Sequence, residues 1–327
     1  MSEQREGLLK ELRPPAFAIA YRMLGSVAEA EDIVQEALLR LHRALSQGQR
    51  ISSPRAEMAT VTTRLALDEL RSARSRREHY VGEWLPEPIV TDPGEDFAAR
   101  AEMADSLSLA FLVVLESLSP EQRAALLLHD VFDYGYDEIA ALIGTSEANA
   151  RQLAARARRH LAQRRSRFAA SREQRDELAQ RFFAAAEKGD LGALEALLAQ
   201  DVVLHGDGGG KVRALARSLH GRSRVARTLL GWARQGLLLS GAVLRQVEVN
   251  GQPGALYLDG TGKLLGVLAL DIAGGQVQAV SAIVNPDKLR HIGPIGDRRG
   301  LLERQEGRAG ARGGHSPPEN PTHFLKN

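Results

Sequence analysis

The sequence has no cysteine among its 327 residues. Disulfide bonds and thiolate metal sites are therefore excluded, and a reducing cytoplasm is compatible with the chain. No apolar run approaches the roughly 20 residues that a membrane-spanning helix needs, and the acidic, polar N-terminus does not resemble a signal peptide. We therefore expect a soluble, cytoplasmic protein that makes no contact with a membrane.

A large excess of charge of one sign is also missing. The chain carries 43 Lys and Arg residues against 41 Asp and Glu residues, which gives a net charge of +2. The protein as a whole is therefore not a polycation. Its basic residues are instead clustered, and clustering is what matters for binding nucleic acid. The length predicts about two domains.

The segment from 118 to 167 has the pattern of a helix-turn-helix. Ser119 can cap its first helix, and Pro120 suits the first helical position. A short helix is then predicted to end at Gly144, and a helix that is first polar and then basic follows Ser146. Because this arrangement presents a recognition helix to the major groove, the segment predicts a DNA-binding protein.

Residues 11–77 are predicted to be helical. The apolar residues from Ala30 to Leu45 follow the spacing of an amphipathic helix. A second helix begins near Arg55 and ends in a cluster of arginines, which suits the helix dipole and is by itself compatible with a solvated helix end. A second basic cluster in a chain with a helix-turn-helix nevertheless favours DNA binding.

Residues 80–103 are predicted to form a linker, because Pro86, Pro88 and the Pro93-Gly94 pair prevent helix formation. Fully extended, a segment of this length reaches about 65 Å. One and a half turns of DNA span about 55 Å. The two basic units could therefore bind separate DNA segments while they remain in one chain.

Beyond residue 172 the pattern is that of an α+β domain. Two amphipathic helices are separated at Gly189-Asp190. Strands are predicted over residues 243–249, 255–258, 264–272 and 277–284. The glycine-containing turns between them predict a curved, mostly antiparallel sheet that packs on helices. Residues 293–327 are rich in Gly, Arg and Pro and are expected to be disordered.

Two of the helical segments resemble those of a bacterial family. Residues 20–26 (AYRMLGS) and 30–37 (AEDIVQEA) strongly resemble region 2 of sigma factors of the extracytoplasmic-function group, and residues 118–159 resemble their region 4. The resemblance implies a multidomain protein with two all-α sigma domains, at residues 8–79 and 104–169. Its partners would be core RNA polymerase and the −10 and −35 elements of promoter DNA.

Three further motifs resemble those of one subgroup, which carries a SnoaL-like C-terminal extension. They are WLPEP at residues 84–88, DGGGK at residues 207–211 and NPDKL at residues 285–289. The resemblance implies that residues 172–292 form an α+β SnoaL-like cone that regulates the sigma domains. We expect no cofactor, no metal and no separate anti-sigma factor.

The resemblance also implies roles for single residues of region 2. Residues on the polar face of the amphipathic helix match the surface that binds core RNA polymerase: Asp32, Gln35, Glu36 and Leu39. Residues of the next helix match the part that captures and melts the −10 element: Arg64, Asp68, Arg71, Arg74, Arg76 and Arg77. The loop at 48–54 has no aromatic residue, so a polar pocket would have to hold an unstacked base.

In region 4, residues at the start of the recognition helix are candidates for reading −35 base edges: Ser146, Asn149, Arg151 and Gln152. Arg suits guanine, and Asn or Gln suits adenine, with roughly 1–3 kcal/mol of discrimination for each bidentate pair. The arginines that follow are expected to contact phosphate, which positions the protein without specifying sequence: Arg156, Arg158 and Arg159.

The three subgroup motifs supply the candidate regulatory contacts: Trp84, Pro86, Pro88, Asp207, Gly208, Gly209, Gly210, Lys211, Asn285, Pro286, Asp287, Lys288 and Leu289. The glycine run permits close approach of another backbone. It could also cradle a phosphate, but no Ser or Thr follows the lysine and the spacing is not that of a P-loop. A loop that docks on the linker, near the tryptophan, or on the sigma domains is favoured.

Cones of this kind include enzymes, so an active site has to be considered. The candidate groups are His205, Asp207, Lys211, Asp259 and Asp271. Their positions beside glycines, in a turn and at a strand end favour a protein-contact domain over catalysis, and a small-ligand pocket remains an alternative. The alternative function is a free-standing helix-turn-helix regulator fused to a ligand-binding or enzymatic cone. Such a regulator would bind DNA as a dimer, and the sequence has no dimerisation heptad.

Overall fold

The computed structural model describes residues 2–77, 79–91, 107–162, 171–238, 242–298 and 300. Its N-terminal unit has three helices: α1 (Ser2–Leu24), α2 (Val27–Ser46) and α3 (Pro54–Arg77). The predicted amphipathic helix is α2, which begins where the Ser26 hydroxyl accepts a hydrogen bond from the backbone N–H of Glu29 (3.2 Å). Its apolar stripe is buried as the spacing predicted: Ala30, Ile33, Val34, Ala37 and Leu41.

The second helical unit contains the predicted helix-turn-helix. Its helices are α4 (Leu109–Leu115), α5 (Pro120–Asp130), α6 (Tyr136–Ile143) and α7 (Glu147–Ala162). Ser119 and Gln122 form a capping box at the start of α5, and the Ser146 hydroxyl accepts the N–H of Asn149 (3.2 Å) at the start of α7. Gly144 ends α6 with a φ of 74°, a conformation that side chains disfavour. These local signals determine where the helices begin and end.

The C-terminal domain is a seven-stranded sheet with helices on one face. Its elements are α8 (Arg172–Lys188), α9 (Leu191–Leu197), β2 (Leu198–Asp207), β3 (Leu219–His220), α10 (Arg222–Leu238), β4 (Val243–Val249), β5 (Gln252–Leu258), β6 (Leu264–Ala273), β7 (Gln276–Ile283) and a 3-10 helix (Pro286–Leu289). With β1 (Val90–Thr91), the strand order is β1-β4-β5-β6-β7-β2-β3. All neighbours are antiparallel except β2 and β7, so the predicted fold class is confirmed.

The sheet is curved and is covered on both faces. Register shifts interrupt the pairing of β2 with β7, β5 with β6 and β6 with β7, and such bulges bend strands. One face packs on α8, α9 and α10 through Phe182, Leu194 and Val225. The other face packs on Leu85 of the linker and Leu109 of α4. The C-terminal domain therefore contacts the rest of the chain through its sheet.

Part of the predicted linker belongs to this sheet. Val90 and Thr91 form the strand β1, which pairs with Val249 and Glu248 of β4. This strand could not be predicted from the pattern of apolar residues, because two residues are too few to show a period. The segment from 92 to 103 lies outside the described residues.

The C-terminal domain continues past residue 293, where the disordered tail was predicted to begin. Leu264 pairs with Ile295 in an isolated bridge, and Ile292 and Ile295 pack on the outer core of the sheet. Two isoleucines therefore hold a segment whose glycine and proline content predicted disorder. Residues 301–327 lie outside the described part of the chain.

The two helical units pack directly against each other. Leu12 and Ile19 of α1 share one core with Leu115 of α4 and Leu127 of α5. The guanidinium of Arg123, which is 2% exposed, donates to the backbone oxygens of Met23 (2.5 Å) and Leu115 (3.1 Å). The linker could span two DNA segments, but the units it joins are in contact here. Within the described ranges, no helix has the length and apolar composition needed to cross a membrane.

Close packing of β5 against its neighbours yields a stability prediction. A Cβ on Gly254 would lie 2.4 Å from the backbone oxygen of Leu268 and 2.6 Å from Val249, whereas a Cβ on Gly231, in α10, would meet nothing within 4 Å. We expect Gly254→Ala to destabilise the protein by about 1–3 kcal/mol. Gly231→Ala should stabilise it by about 0.5–1 kcal/mol. Equal urea midpoints for the two variants would contradict this description of the sheet.

Candidate nucleic-acid interface

The predicted −35 readers lie on the exposed surface of α7. Ala150, Ala154 and Ala157 are buried against the rest of the helix-turn-helix. Residues at i, i+3, i+7 and i+10 share the opposite, exposed side: Asn149, Gln152, Arg156 and Arg159. A polar end followed by a basic end on one face can place amides over base edges and guanidinium groups over phosphate.

Arg151 and Arg158 lie on a different flank of α7. Positions 149 and 151 are about 160° apart around a helix. Arg151 pairs with Glu147, a hydrogen bond that raises the pKa of its guanidinium, and lies 5.1 Å from the centre of the Tyr136 ring. Arg158 Nε lies 2.8 Å from Asp130 Oδ2, and this ion pair raises the pKa of Arg158. Both arginines therefore have partners inside the domain, which the sequence did not reveal.

The predicted −10 surface on α3 is partly engaged by the second helical unit. Arg64 and Asp68 are exposed. Arg71 contacts Asp68 (3.4 Å), and its Nη2 lies 3.0 Å from Oε1 of Glu121 at the start of α5. The side chains of three further predicted residues lie outside the described part: Arg74, Arg76 and Arg77.

The predicted polymerase-binding residues form one stripe on α2. They occupy positions i, i+3, i+4 and i+7: Asp32, Gln35, Glu36 and Leu39. Glu36 pairs with Arg40 (2.7 Å), and the other three residues are exposed. Leu39 is 42% exposed and is one of few large apolar side chains that the described residues leave in solvent. The stripe combines acidic, amide and apolar groups on one accessible face.

The three subgroup motifs meet at a buried ion pair between Asp207 and Lys288. Asp207 is fully buried, and its carboxylate lies 2.7 Å from the Lys288 ammonium. It also accepts hydrogen bonds from the backbone N–H of Leu85 (2.9 Å) and Gly209 (3.0 Å). Lys288 donates in addition to the backbone oxygen of Leu85. The ion pair therefore binds both the N–H and the carbonyl oxygen of Leu85 in the linker.

Aromatic residues of the linker complete this cluster. Tyr80 donates to Asp207 (2.5 Å), and burial together with this hydrogen bond raises the pKa of the tyrosine well above its usual value. The Lys288 ammonium lies 4.1 Å from the centre of the Trp84 ring, in the range of a cation–π interaction. Asn285 donates to the Tyr80 hydroxyl (2.8 Å). The charge on Lys288 is therefore surrounded by a carboxylate, a carbonyl and two aromatic rings.

The glycine run fits closely against the same cluster. A Cβ on Gly208 would lie 2.1 Å from the Val212 oxygen, and one on Gly209 would lie 2.2 Å from the Asn285 side chain. Gly210 approaches Val81 of the linker, where a Cβ would lie at 3.0 Å. The run therefore packs against the linker and the NPDKL motif and is not an open phosphate cradle.

The other motif residues surround this cluster. Lys211 pairs with Asp287 at the surface. Pro286 begins the 3-10 helix, and Leu289 is buried beside the linker. The backbone oxygen of Pro88 lies 2.8 Å from Nε2 of His291.

The comparisons with known proteins agree with this architecture. Residues 8–76 match the model of Sigma-70 region 2, and residues 108–161 match that of Sigma-70, region 4. The ECF RNA polymerase sigma factor SigJ of Mycobacterium tuberculosis is 41% identical over 298 residues, which are 88% of this chain and 94% of SigJ. The chain belongs to the extracytoplasmic-function (ECF) sigma factors of RNA polymerase. This membership decides against a free-standing regulator.

The similarity to ECF sigma factors includes the C-terminal domain. A crystal structure of SigJ from Mycobacterium tuberculosis aligns with 90% of this sigma factor and covers 99% of that chain, with a TM-score of 0.72 and 37% identity. A structure of the sigma factor RpoE from Bartonella quintana in complex with the anti-sigma factor NepR aligns with 48% of this chain, with a TM-score of 0.37 and 20% identity. That similarity is too low to bear on how this sigma factor is regulated.

Sequence reasoning missed Glu87, which attaches the linker of the sigma factor to region 2. Its carboxylate accepts hydrogen bonds from the backbone N–H of Val27 (2.7 Å) and Ala28 (3.1 Å) and from the Ser26 hydroxyl (3.0 Å). It therefore caps α2 and complements the helix dipole. The Trp84 ring packs against the turn that precedes α2, because a Cβ on Gly25 in that turn would lie 2.9 Å from the ring. The signal in the sequence that could have identified Glu87 is its position as an acidic residue between two prolines.

Asn250 lies beside Gly251 in one of the predicted glycine-containing turns, and the sequence gives no other indication of its role. It has a φ of 52° and is 2% exposed. Its amide donates to the Tyr21 hydroxyl (2.7 Å) of region 2 and to the Leu107 oxygen (2.8 Å) before region 4, and its oxygen accepts from the N–H of Ile89 (2.9 Å). One side chain of the C-terminal domain therefore contacts three other parts of the sigma factor.

Four of the five catalytic candidates are engaged in contacts with other residues. His205 Nδ1 lies 2.7 Å from Glu83 of the linker, with Ser218 nearby. Burial raises the pKa of Glu83, but its hydrogen bonds with His205 and Ser218 outweigh that effect and lower the pKa. Asp259 accepts from the backbone of its own turn. Asp207 and Lys211 are held in ion pairs, and Asp271 lies in β6.

The two lysine ion pairs predict different stabilities for matched variants. Lys288→Met leaves the Asp207 carboxylate buried without a cation, which should cost about 3–5 kcal/mol. Lys211→Met removes an ion pair whose partners are 53% and 41% exposed, which should cost at most about 1 kcal/mol. Urea unfolding followed by the fluorescence of Trp84 and Trp232 measures both losses. Similar losses for the two variants would contradict the burial of the Asp207–Lys288 pair.

Proposed function

We propose that this sigma factor binds core RNA polymerase through the α2 stripe, reads the −35 element with α7 and captures the −10 element with α3. It would do so in the cytoplasm, where core polymerase acts. We further propose that the SnoaL-like domain regulates these steps by holding regions 2 and 4 in the contact described above. The observation that carries this second part is the shared core of the two regions together with the linker contacts.

The contact between the regions covers part of the proposed −10 surface. Arg71 Nη2 of α3 lies 3.0 Å from Oε1 of Glu121 of α5, so this arginine is engaged by region 4 and not by DNA in the closed arrangement. The contact is also incompletely packed, since a cleft of about 370 Å³ lies between Met58, Tyr134 and their neighbours. Capture of the −10 element by Arg71 would therefore separate the regions, and the incomplete packing of their contact supports reversible separation.

The C-terminal domain favours the closed arrangement by restraining the linker. Asp207 and Lys288 hold Leu85, and Asn250 holds both Ile89 and Tyr21. Glu87 fixes the next part of the linker on α2. Sigma factors are regulators and not enzymes, and the engagement of Asp207 and His205 with residues of the linker supports a regulatory domain without catalysis. That no separate anti-sigma factor is needed stays a prediction.

A fluorescence experiment tests the closed arrangement. Since the chain has no cysteine, dyes can be attached at exposed Glu11→Cys and Ala141→Cys, in regions 2 and 4. Asn250→Gly keeps the turn conformation and removes the amide, and combined with Glu87→Ala it should lower energy transfer in the free protein. Addition of core polymerase and promoter duplex should lower transfer in the wild type.

The control is Arg172→Gln, which breaks an exposed contact to Glu248 (2.6 Å) on β4 and leaves the linker intact. It should not change energy transfer. The regulatory proposal fails if promoter and polymerase leave the transfer efficiency of the wild type unchanged.

A second experiment tests the recognition helix, with −35 duplexes selected from a random library by the wild-type sigma factor and core polymerase. Gln152→Ala should lose about 1–3 kcal/mol of discrimination between matched and mismatched duplexes, because Gln152 lies on the exposed face of α7 that carries the amides. Arg159→Ala should weaken both duplexes equally and lower the salt slope by about 0.9. Arg158→Ala should also weaken both equally, but it breaks the ion pair with Asp130 and needs a thermal stability control. Loss of discrimination with Arg159→Ala alone would contradict the assignment.

A further inference from the structure

The outer face of α10 carries a basic stripe. Arg224, Arg227 and Arg234, with Gly231 among them, occupy positions i, i+3, i+7 and i+10, which share one side of a helix. All four are exposed, while Val225 and its apolar neighbours on the other side are buried in the core of the SnoaL-like domain. Among the residues of α10 whose side chains the structure describes, arginines and a glycine therefore lie along the centre of the solvent face.

Negative charge is absent from this part of the chain. The forty residues from 208 to 247 contain no Asp or Glu and eight Lys or Arg residues. Arginines on other exposed helices pair with carboxylates one turn away, as Arg40 does with Glu36 and Arg151 with Glu147. Within the described residues, the three arginines of the α10 stripe have no ion pair with a carboxylate. Their charge is therefore not balanced inside the protein.

The stripe does not serve the stability of the fold. Arg224 lies in the first turn of α10, where the helix dipole disfavours a cation, and Arg227 repels it from the next turn. Gly231 weakens the helix and has no packing contact that requires it, since a Cβ there would meet nothing within 4 Å. It leaves the middle of the stripe flat. A feature that folding disfavours indicates an external partner with negative charge.

We infer that this face of α10 is a third DNA contact of the sigma factor, which binds the phosphates of duplex DNA without reading sequence. The inference rests on the proposed function, because promoter DNA is the polyanion that the chain would already hold. The stripe extends over about 15 Å, a length of duplex axis that carries about nine phosphate charges. The aromatic residue of the helix, Trp232, packs into the core, so a stacking surface for single strands is missing from the stripe.

The test compares two triple variants of the full-length protein on a random-sequence 40-bp duplex. In R224Q/R227Q/R234Q the charge is removed, and in R224K/R227K/R234K it is kept. Three lost phosphate contacts should lower the slope of log affinity against log salt by about 2.7. When the salt concentration is raised from 50 to 200 mM, the glutamine variant should therefore lose about 40-fold less of its affinity for the duplex than the wild type loses. The lysine variant should keep the wild-type slope.

Two outcomes would overturn the inference. One is an unchanged salt slope in the glutamine variant. The other is a glutamine variant that binds the duplex normally and has lost affinity for core polymerase, which would make polymerase the partner of the stripe. The Arg159→Ala variant of region 4 separates this test from the proposed function. If it weakens promoter binding while the glutamine variant does not, the promoter function stands and the third contact fails.

Discussion

The buried carboxylate of Asp207 must keep its partners, and much of the arrangement of this sigma factor depends on that requirement. A desolvated charge is strongly unfavourable unless a counter-charge and hydrogen-bond donors surround it. Lys288, the N–H of Leu85 and the Tyr80 hydroxyl meet that need. Leu85 and Tyr80 belong to the linker. If the linker leaves the domain, the Asp207 carboxylate is therefore either exposed to solvent or left buried with too few hydrogen-bond donors.

After Leu85, the linker makes a series of weaker contacts with region 2 and with the C-terminal domain. Its next residues reach α2 through Glu87 and β4 through β1, and Asn250 closes the path by touching both Ile89 and Tyr21. Each later contact is a hydrogen bond between neutral groups or one that is partly exposed. The strongest restraint therefore lies inside the C-terminal domain, and the restraints nearest to regions 2 and 4 are the ones most easily broken.

The sequence predicted the features that arise from local physics. The apolar period placed α2, Ser119 and Ser146 marked the starts of α5 and α7, and Gly144 marked the turn between α6 and α7. The linker strand and the late end of the C-terminal domain could not be found in this way. They depend on partners in β4 and β6 that are distant in sequence.

The candidate sites show the same division. Motif resemblance selected Asp207, Lys288 and Trp84, but spacing could not show that the three meet at one buried charge. Asn250 appeared only as a turn residue, because the same residue type suits a positive φ and a buried hydrogen-bond network. The contacts of Arg151 with Tyr136 and of Arg158 with Asp130 could not be predicted from the sequence of α7, because the partners lie in other helices or loops of the domain.

The strand β1 has a consequence for the lifetime of an opened molecule. It covers the end of β4, whose other residues include the exposed Val243 and Leu244. If opening removes β1, the uncovered edge of β4, which already includes Val243 and Leu244, extends to Val249, and such edges recruit strands from other chains. An opened sigma factor would then be prone to self-association until polymerase holds it or the linker returns.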